Sequence, residues 1–199
     1  RVDDVNLVAD AGDRVARACR ASEGNARDFL VIFGKAHGKF KQQTVRQNIG
    51  LDDVHNAAIA LYRGDKYPNI SSEGELEKFL DYLIHSVICN RKSRTFMVPY
   101  HLRNHDLLRR LYSARILHPL NLEWSHPDRP GERYNLVTMD YGTYASFKGT
   151  ANEPEQQLFW ETSHPRTDEL DLVPLDDRRS IRRIVLEESD LQKFAQPGN

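Results

Sequence analysis

The sequence predicts an α+β fold that is mainly helical, with a small helical bundle before a domain that carries a β-hairpin. Apolar residues recur at helical spacing through the first third of the chain. A segment containing glycine, proline and serine follows at residues 64–74. Further on, two strand-like stretches flank Pro130-Gly131, a pair suited to the centre of a type II turn. We therefore expect a helical bundle over residues 1–68, a second domain over 69–150 and a partly irregular extension over 151–199.

Composition narrows the class of protein. Of the 199 residues, 39% are hydrophobic and 29% are charged, which suits one or two compact domains. No apolar run reaches the roughly 20 residues that cross a bilayer, so we expect a soluble, cytoplasmic protein without a membrane partner. The start, Arg1-Val2-Asp3-Asp4, is neither a signal peptide nor an initiator methionine, and we expect a fragment. Cys19 and Cys89 fall on apolar helix faces, where free cysteine usually behaves as a small buried hydrophobe.

The first domain is predicted to hold three helices. The first covers residues 5–19. The second carries an apolar stripe that comprises Phe29, Ile32, Phe33, Ala36 and Phe40. The third covers residues 51–61 and places Asp52 and Asp53 in its first turn, where the helix dipole favours acidic side chains. Residues 64–74 are then the best candidate for a linker between the domains.

The second domain is predicted to begin with a helix over residues 76–88. Residues 95–98 form a short strand that Pro99 stops. Asn104 suits the N-cap of a further helix, which should end before Pro119. Residues 122–126 and 133–144 are the predicted strands of the hairpin, and residues 181–186 form a final strand or helix. A hairpin that follows a helix is the outline of a wing, so this domain is predicted to be winged-helix-like.

The run Ala21-Ser22-Glu23-Gly24-Asn25-Ala26-Arg27-Asp28-Phe29-Leu30, followed by a helix and by Gly50-Leu51-Asp52-Asp53-Val54, resembles the lid of AAA-type ATPases. It is most similar to the origin-recognition and replication-initiator class. In that family a Gly-Asn-x-Arg turn opens a lid helix, its arginine, called sensor two, reaches toward the ATP phosphates, and a winged helix follows. Arg27 matches this arginine, and the resemblance implies that it senses nucleotide. The alternative for Arg27 is a local ion pair with Asp28 or Glu23.

Two features depart from the family pattern. Gly50 stands where the family usually has a hydroxyl residue that caps the third helix. The second domain shows one clear helix between its first strand and the hairpin, whereas a helix-turn-helix needs two. Either the helix at residues 75–90 is one partner of an altered arrangement, or residues 101–117 contain a turn that the pattern does not show.

The chain lacks the residues of a complete active site. No G-x-x-x-x-G-K-[ST] loop occurs, and no strand ends in the paired acids that would hold Mg²⁺, so we expect no enzyme activity and no cofactor on this chain. The resemblance implies that ATP and Mg²⁺ bind a preceding ATPase domain of the parent protein. His101 and His105 have the spacing of a helical zinc pair, but no His-Glu-x-x-His run surrounds them. They are interpreted as surface histidines, and no metal site is predicted.

Nucleic-acid binding depends on local clusters, because 28 basic and 29 acidic residues give a net charge of -1. Arginines of the second domain are the candidates for contacts to double-stranded DNA: Arg103, Arg109, Arg110 and Arg115 on the helix before the hairpin, and Arg129 and Arg133 near its tip. The alternative is an ordinary solvated helix face. Tyr134, Tyr141 and Tyr144 on the last strand could stack bases, although packing in a core is the preferred interpretation.

A second class of function stays open, in which the second domain is a protein-docking or oligomerisation module without direct DNA contact. The near-neutral charge and the acidic, irregular stretch over residues 153–171 support it. The expected partners are therefore double-stranded DNA, the preceding ATPase domain and further copies of the same chain.

Overall fold

The computed structural model describes residues 18–19, 21–42, 49–125, 130–154 and 183–194. The predicted first helix lies outside these residues except for its last two. The chain divides into two compact units: Arg1–Pro68 with Asp140–Ser146, and Asn69–Met139 with Phe147–Asn199. Residues 140–146 were predicted in the second domain, whereas in the structure they belong to the first unit.

The fold is a mixed α+β arrangement with a small antiparallel sheet. In chain order its elements are α1 (Ala26–Lys41), α2 (Leu51–Leu61), α3 (Pro68–Ser71), α4 (Gly74–Leu83), β1 (Thr95–Pro99), α5 (Asp106–Ser113), β2 (Leu117–Ser125), β3 (Arg133–Met139), α6 (Tyr141–Tyr144) and α7 (Glu188–Gln192). Turns of π-helix extend α2 over Tyr62–Lys66 and α4 over Ile84–Cys89, and 3₁₀ turns occupy Tyr100–Leu102 and Ala145–Phe147.

Helix α1 begins after Asn25, as the sequence predicts. The Asn25 side-chain oxygen accepts a hydrogen bond from the backbone N–H of Asp28 at 3.2 Å, which is the usual role of an N-cap asparagine. Ile32 of the predicted stripe is buried, whereas Phe33 is 37% exposed. Phe33 stacks on the half-buried Phe29 with ring centroids 5.9 Å apart, so the buried stripe is narrower than predicted.

Helix α2 is capped through a carboxylate of its first turn, since Gly50 has no side chain that could cap it. The N–H of Gly50 donates to Asp53 Oδ2 at 2.8 Å, which ties the residue before the helix to its first turn. The helix continues through its π-helical turn as far as Lys66, and α3 begins at Pro68. The boundary between the two units falls between Pro68 and Asn69, inside the predicted linker over residues 64–74, although most of that segment is helical.

Residues 141–144 form a helix where the sequence predicted that the strand would continue. Strand β3 ends at Met139 because Asp140 caps α6, its Oδ2 accepting the N–H of Gly142 at 3.0 Å. Tyr141 packs against the hydrophobic core of the first unit, which consists of Ala18, Ala21, Ile32, Ala36, Val54, Ala57, Ala58 and Leu61. The aromatic residues of this segment favour strands in general, and that preference misled the prediction.

The second unit is built on α4 and an antiparallel sheet. The apolar face of α4 and its π-helical extension is buried, as predicted, through Leu76, Phe79, Leu80, Leu83, Val87 and Ile88. The strands lie in the order β1-β3-β2, with Met97 opposite Leu136 and Leu117 opposite Met139. The short strand before Pro99 and the pairing of the two hairpin strands are both confirmed.

A short helical turn and a longer helix precede the hairpin. The 3₁₀ turn Tyr100–Leu102 is followed by α5, which buries Leu107, Leu108 and Leu111. The N-cap of α5 is His105, so the prediction of Asn104 was one residue early. The 3₁₀ turn overlaps residues 101–117, the segment in which one of the two alternatives placed a turn that the sequence pattern does not show.

Strand β2 begins at Leu117, whereas the prediction began at residue 122. The preceding helix was predicted to end before Pro119, and α5 does end before it, at Ser113. Pro119 itself lies within β2, an edge strand, where proline is tolerated. The register shifts on both sides of Asn121, which bends the strand. Leu120 and Leu122 are exposed on this edge.

Residues 183–186 add to the outer edge of β1, which corresponds to the strand alternative for this segment. The N–H of Met97 donates to the Ile184 carbonyl at 2.7 Å, and the N–H of Leu186 donates to the Met97 carbonyl at 2.9 Å. Helix α7 follows, and the Tyr82 hydroxyl donates to Asp190 at 2.6 Å. The edge of β1 is therefore covered by the chain itself.

Neither cysteine is fully buried, contrary to the prediction. Cys19 is exposed and Cys89 is half-buried, while the neighbouring Ala18 takes the core position. Among the described residues, no helix is both long enough and apolar enough to cross a membrane.

Candidate functional site

Arg27 lies in the first turn of α1 and its side chain is 70% exposed. Among the described residues its ion pair is with Asp65, at 3.9 Å, and not with Asp28 or Glu23 as the local alternative predicted. An exposed ion pair contributes about 1 kcal/mol or less. Arg27 can therefore exchange this partner for an incoming anion at little cost.

The residue after Arg27 is held from inside the first unit. Lys66 Nζ lies 2.6 Å from Asp28 Oδ2 and 2.5 Å from Asp140 Oδ1. Lys66 is 1% exposed, Asp28 0% and Asp140 3%. Charges taken out of water this completely are tolerated when opposite charges and hydrogen bonds compensate them. The two carboxylates and the ammonium group therefore hold the start of α1 and the start of α6 in one place.

Close packing of α6 keeps Asp140 beside Lys66. A Cβ atom added to Gly142 would overlap with the Cβ of Tyr62 and would lie 3.1 Å from the carbonyl oxygen of Ala58. The hydroxyl of Tyr141 lies 3.0 Å from His55 Nδ1, a second polar link between α6 and α2. Glycine is needed at position 142 because the backbone of α6 approaches α2 so closely.

Helix α5 exposes a face on which arginine and acidic side chains are paired. Arg109 is 72% exposed, and its Nη2 lies 2.8 Å from Asp106 Oδ1. Arg110 pairs with Glu73 and also with Asp106, the latter at 3.4 Å. Because each such pair contributes about 0.2–1 kcal/mol, phosphate oxygens could replace the carboxylates. The structure brings these two predicted arginines to one surface, with their charge partly neutralised.

The remaining candidate arginines lie off α5. Arg133 begins β3, and its Nη1 lies 3.0 Å from Glu123 Oε2. Arg103 precedes α5, and its guanidinium lies 3.8 Å from the centroid of the Tyr100 ring. Arg115 follows α5, is half-buried and has a left-handed backbone with φ +59. Arg129 lies outside the described residues. Arg103 and Arg115 were predicted on the helix, so that placement was wrong.

The histidine and tyrosine candidates have structural positions. His101 lies in the 3₁₀ turn and His105 at the N-cap of α5, so one helix does not carry both as a zinc pair requires. Tyr134 and Tyr144 are each 1% exposed, which confirms the interpretation that they pack in a core. Base stacking by these two rings would require their removal from the interior.

Lys66 and Asp140 were not among the residues predicted for the site. Lys66 stood in the supposed linker, and Asp140 stood inside the supposed strand. A lysine or aspartate in a polar context is normally solvated, so the spacing of these residues carried no signal of burial. Only the return of residues 140–146 to the first unit brings them together.

Comparison with protein-family models, with curated proteins and with solved structures finds no match for this chain. The chemical role of the site therefore has to be inferred from the geometry of its own residues. An exposed arginine on a fixed helix start can bind an anion, and the paired arginines of α5 form a second surface that could hold phosphates.

Proposed function

We propose that this chain is the C-terminal portion of an ATP-dependent, DNA-associated AAA-type protein. In this proposal the first unit is a nucleotide-sensing lid, and the second is a winged-helix-like domain that holds double-stranded DNA. ATP and Mg²⁺ belong to an ATPase domain that precedes residue 1, so the chain itself is not an enzyme. The observation that carries the proposal is the exposed Arg27 beside the buried Asp28.

The geometry around Arg27 supports the sensing role. A guanidinium donates hydrogen bonds in a rigid fork, and the N-terminus of a helix favours negative charge, so both suit phosphate oxygens. Sensing also requires that the arginine keep its direction while its partner changes. The buried ion pairs of Lys66 with Asp28 and Asp140 meet this requirement, because they fix the backbone next to Arg27 without occupying its guanidinium.

The element order of the second unit supports the winged-helix-like assignment. Helix α4, strand β1, the 3₁₀ turn, α5 and the hairpin β2-β3 follow one another, and β3 pairs with both other strands. Helix α5 is the candidate recognition helix, because its apolar side is buried and its other side presents Arg109 and Arg110. The hairpin would supply the wing, with Arg133 near its tip, at the start of β3.

Phosphate binding by Arg27 can be tested on this chain by NMR titration with inorganic triphosphate. We expect backbone amide shifts centred on residues 26–30 in the natural chain and their loss in Arg27→Ala. Lys35→Ala is the matched control, because Lys35 is an exposed cation on the same helix. Shifts that survive Arg27→Ala, or that Lys35→Ala abolishes instead, would contradict the sensing role.

DNA binding can be tested by fluorescence anisotropy with a labelled duplex over a range of salt. Arg109→Ala/Arg110→Ala should weaken binding and lower the slope of log K against log salt by about 1.8, if each arginine contacts one phosphate. Lys35→Ala/Lys39→Ala, in the first unit, is the charge-matched control. Absence of binding at low salt by the natural chain would remove DNA from the proposal.

The second candidate function is protein docking through the second unit. Its supporting observation is the edge strand β2, on which Leu120 is 47% and Leu122 is 63% exposed. The acidic side chains that pair with Arg109, Arg110 and Arg133 also weaken the attraction of this surface to DNA, whereas a protein partner need not be highly negative. Sedimentation of the natural chain and of Leu120→Ser/Leu122→Ser separates the candidates: self-association lost in the variant, with DNA binding unchanged, favours docking.

A further inference from the structure

We infer that Lys66 is a positioning residue that links the helix bearing Arg27 to the segment directly after the hairpin. The proposal deepens the proposed function, on which its biological purpose rests. Lys66 touches neither the anion that Arg27 would bind nor the DNA. It acts by holding Asp28, the neighbour of Arg27, and Asp140, the residue that follows β3, to the same ammonium group.

The two aspartates that contact Lys66 are each adjacent in the chain to a part of the proposed machinery. Asp28 lies in the first turn of α1, so a displacement of Arg27 by an anion acts on it through one peptide bond. Asp140 follows Met139, the last residue of β3, so its position sets where the second hairpin strand ends. Lys66 joins these two points, which are more than a hundred residues apart in sequence, through two contacts of hydrogen-bond length.

The surroundings of the ion pairs leave little room for independent motion. Each aspartate is also held by a hydrogen bond at a helix start. The Asp140 carboxylate accepts the N–H of Gly142 and caps α6, and the backbone N–H of Asp28 donates to the Asn25 side chain. Loss of the contact between Lys66 and either aspartate leaves a buried charge with one partner fewer. Separation of the start of α1 from Lys66 is therefore opposed by this energetic cost, and so is separation of the start of α6. A contact network of this kind has the physical basis for transmitting a local change.

The structural role and the linking role make different predictions for amide hydrogen exchange measured by NMR. Lys66→Met should raise exchange at the Asp28 and Gly142 amides together, by on the order of a hundredfold, since breaking a buried pair is strongly destabilising. Lys35→Met, an exposed change on α1, should alter neither. If Lys66→Met fails to fold, the neutral variant Lys66→Met/Asp28→Asn/Asp140→Asn replaces it, because it buries no unpaired charge.

The deciding measurement changes a residue at the start of α1 and records amide exchange at Gly142, on the other side of Lys66. Asn25→Ala removes the cap at the start of α1 and should raise exchange at Gly142 by roughly tenfold in the natural chain, the effect of losing one N-cap. In the neutral variant the same change should leave Gly142 unaffected. An equal response in both backgrounds, or no response at Gly142 in the natural chain, overturns the inference.

The triphosphate titration keeps this result separate from the proposed function. If Gly142 responds to Asn25→Ala only when Lys66 is present, but triphosphate shifts no amide near Arg27, the link stands and nucleotide sensing fails. If triphosphate binds at Arg27 but the exchange experiment shows no dependence on Lys66, sensing stands and the link is overturned.

Discussion

Replacement of Gly142 by alanine tests whether α6 is seated on α2 as closely as the structure shows. The added methyl group would overlap with the Cβ of Tyr62 and would lie 2.9 Å from Asp140 Oδ2 and 3.1 Å from the Ala58 carbonyl oxygen. Two of these neighbours are a Cβ and a backbone atom, which cannot rotate away. Overpacking typically costs about 1–3 kcal/mol, and we expect the upper part of that range.

The expected loss exceeds the ordinary benefit of alanine in a helix, which is about 1 kcal/mol. For a chain of this length, a net loss of about 2 kcal/mol lowers the melting temperature by roughly 4–8 °C. Thermal unfolding followed by circular dichroism measures it. Gly34→Ala is the matched control, because a Cβ there meets nothing within 4 Å on the exposed side of α1, so its stability should rise. A melting temperature of Gly142→Ala equal to that of the natural chain, or higher, would refute the close packing.

Further predictions concern the helix cap, one tyrosine and the cysteines. Asn25→Ala should destabilise the chain by about 1 kcal/mol and Asn25→Asp should not, as measured by urea unfolding. Burial and the hydrogen bond to Asp190 raise the pKa of Tyr82 to about 12, so its stabilising effect is complete below pH 10 and is lost as the pH rises toward 12. Tyr82→Phe should therefore flatten the alkaline decline in stability. A maleimide should label the exposed Cys19 faster than the half-buried Cys89, and mass spectrometry of peptides would show the reverse order if the burial is wrong.

Helices and the hairpin could be predicted wherever one local pattern dominates. The stripe of α4 and the Asn25 cap of α1 are local signals, and both were confirmed. The turn between β2 and β3 was predicted from Pro130-Gly131, and Gly131 has the positive φ of +89 that such a turn needs. These features depend on neighbours within a few residues, so a single sequence suffices.

Failures of prediction occurred where tertiary contacts override local preference. Strand propensity favoured extension of β3 through Tyr144, but Asp140 ends the strand because its carboxylate caps α6 and meets Lys66. Glycine and proline near residue 66 indicated a linker, and the boundary between the units does fall there, but these residues gave no sign that Lys66 is buried at the end of a π-helical turn. Of the candidate site, Arg27 was found from the sequence and its anchoring residues were not. A burial partner more than seventy positions away leaves no periodic signal.

The balance between DNA binding and protein docking depends on charge neutralisation in the second unit. Arg109, Arg110 and Arg133 each lie beside a carboxylate, so a phosphate must displace an acidic side chain before it gains a contact. That displacement costs little per pair, because the pairs are exposed, but the acids remain nearby and repel the DNA backbone. Substitution of the acidic residues therefore distinguishes DNA binding from protein docking better than removal of the arginines does. Asp106→Asn should strengthen duplex binding if α5 faces DNA, because it frees Arg109 and removes one repulsive charge. If α5 faces a protein instead, the same substitution should leave duplex binding unchanged, since the arginines then have no phosphate to bind.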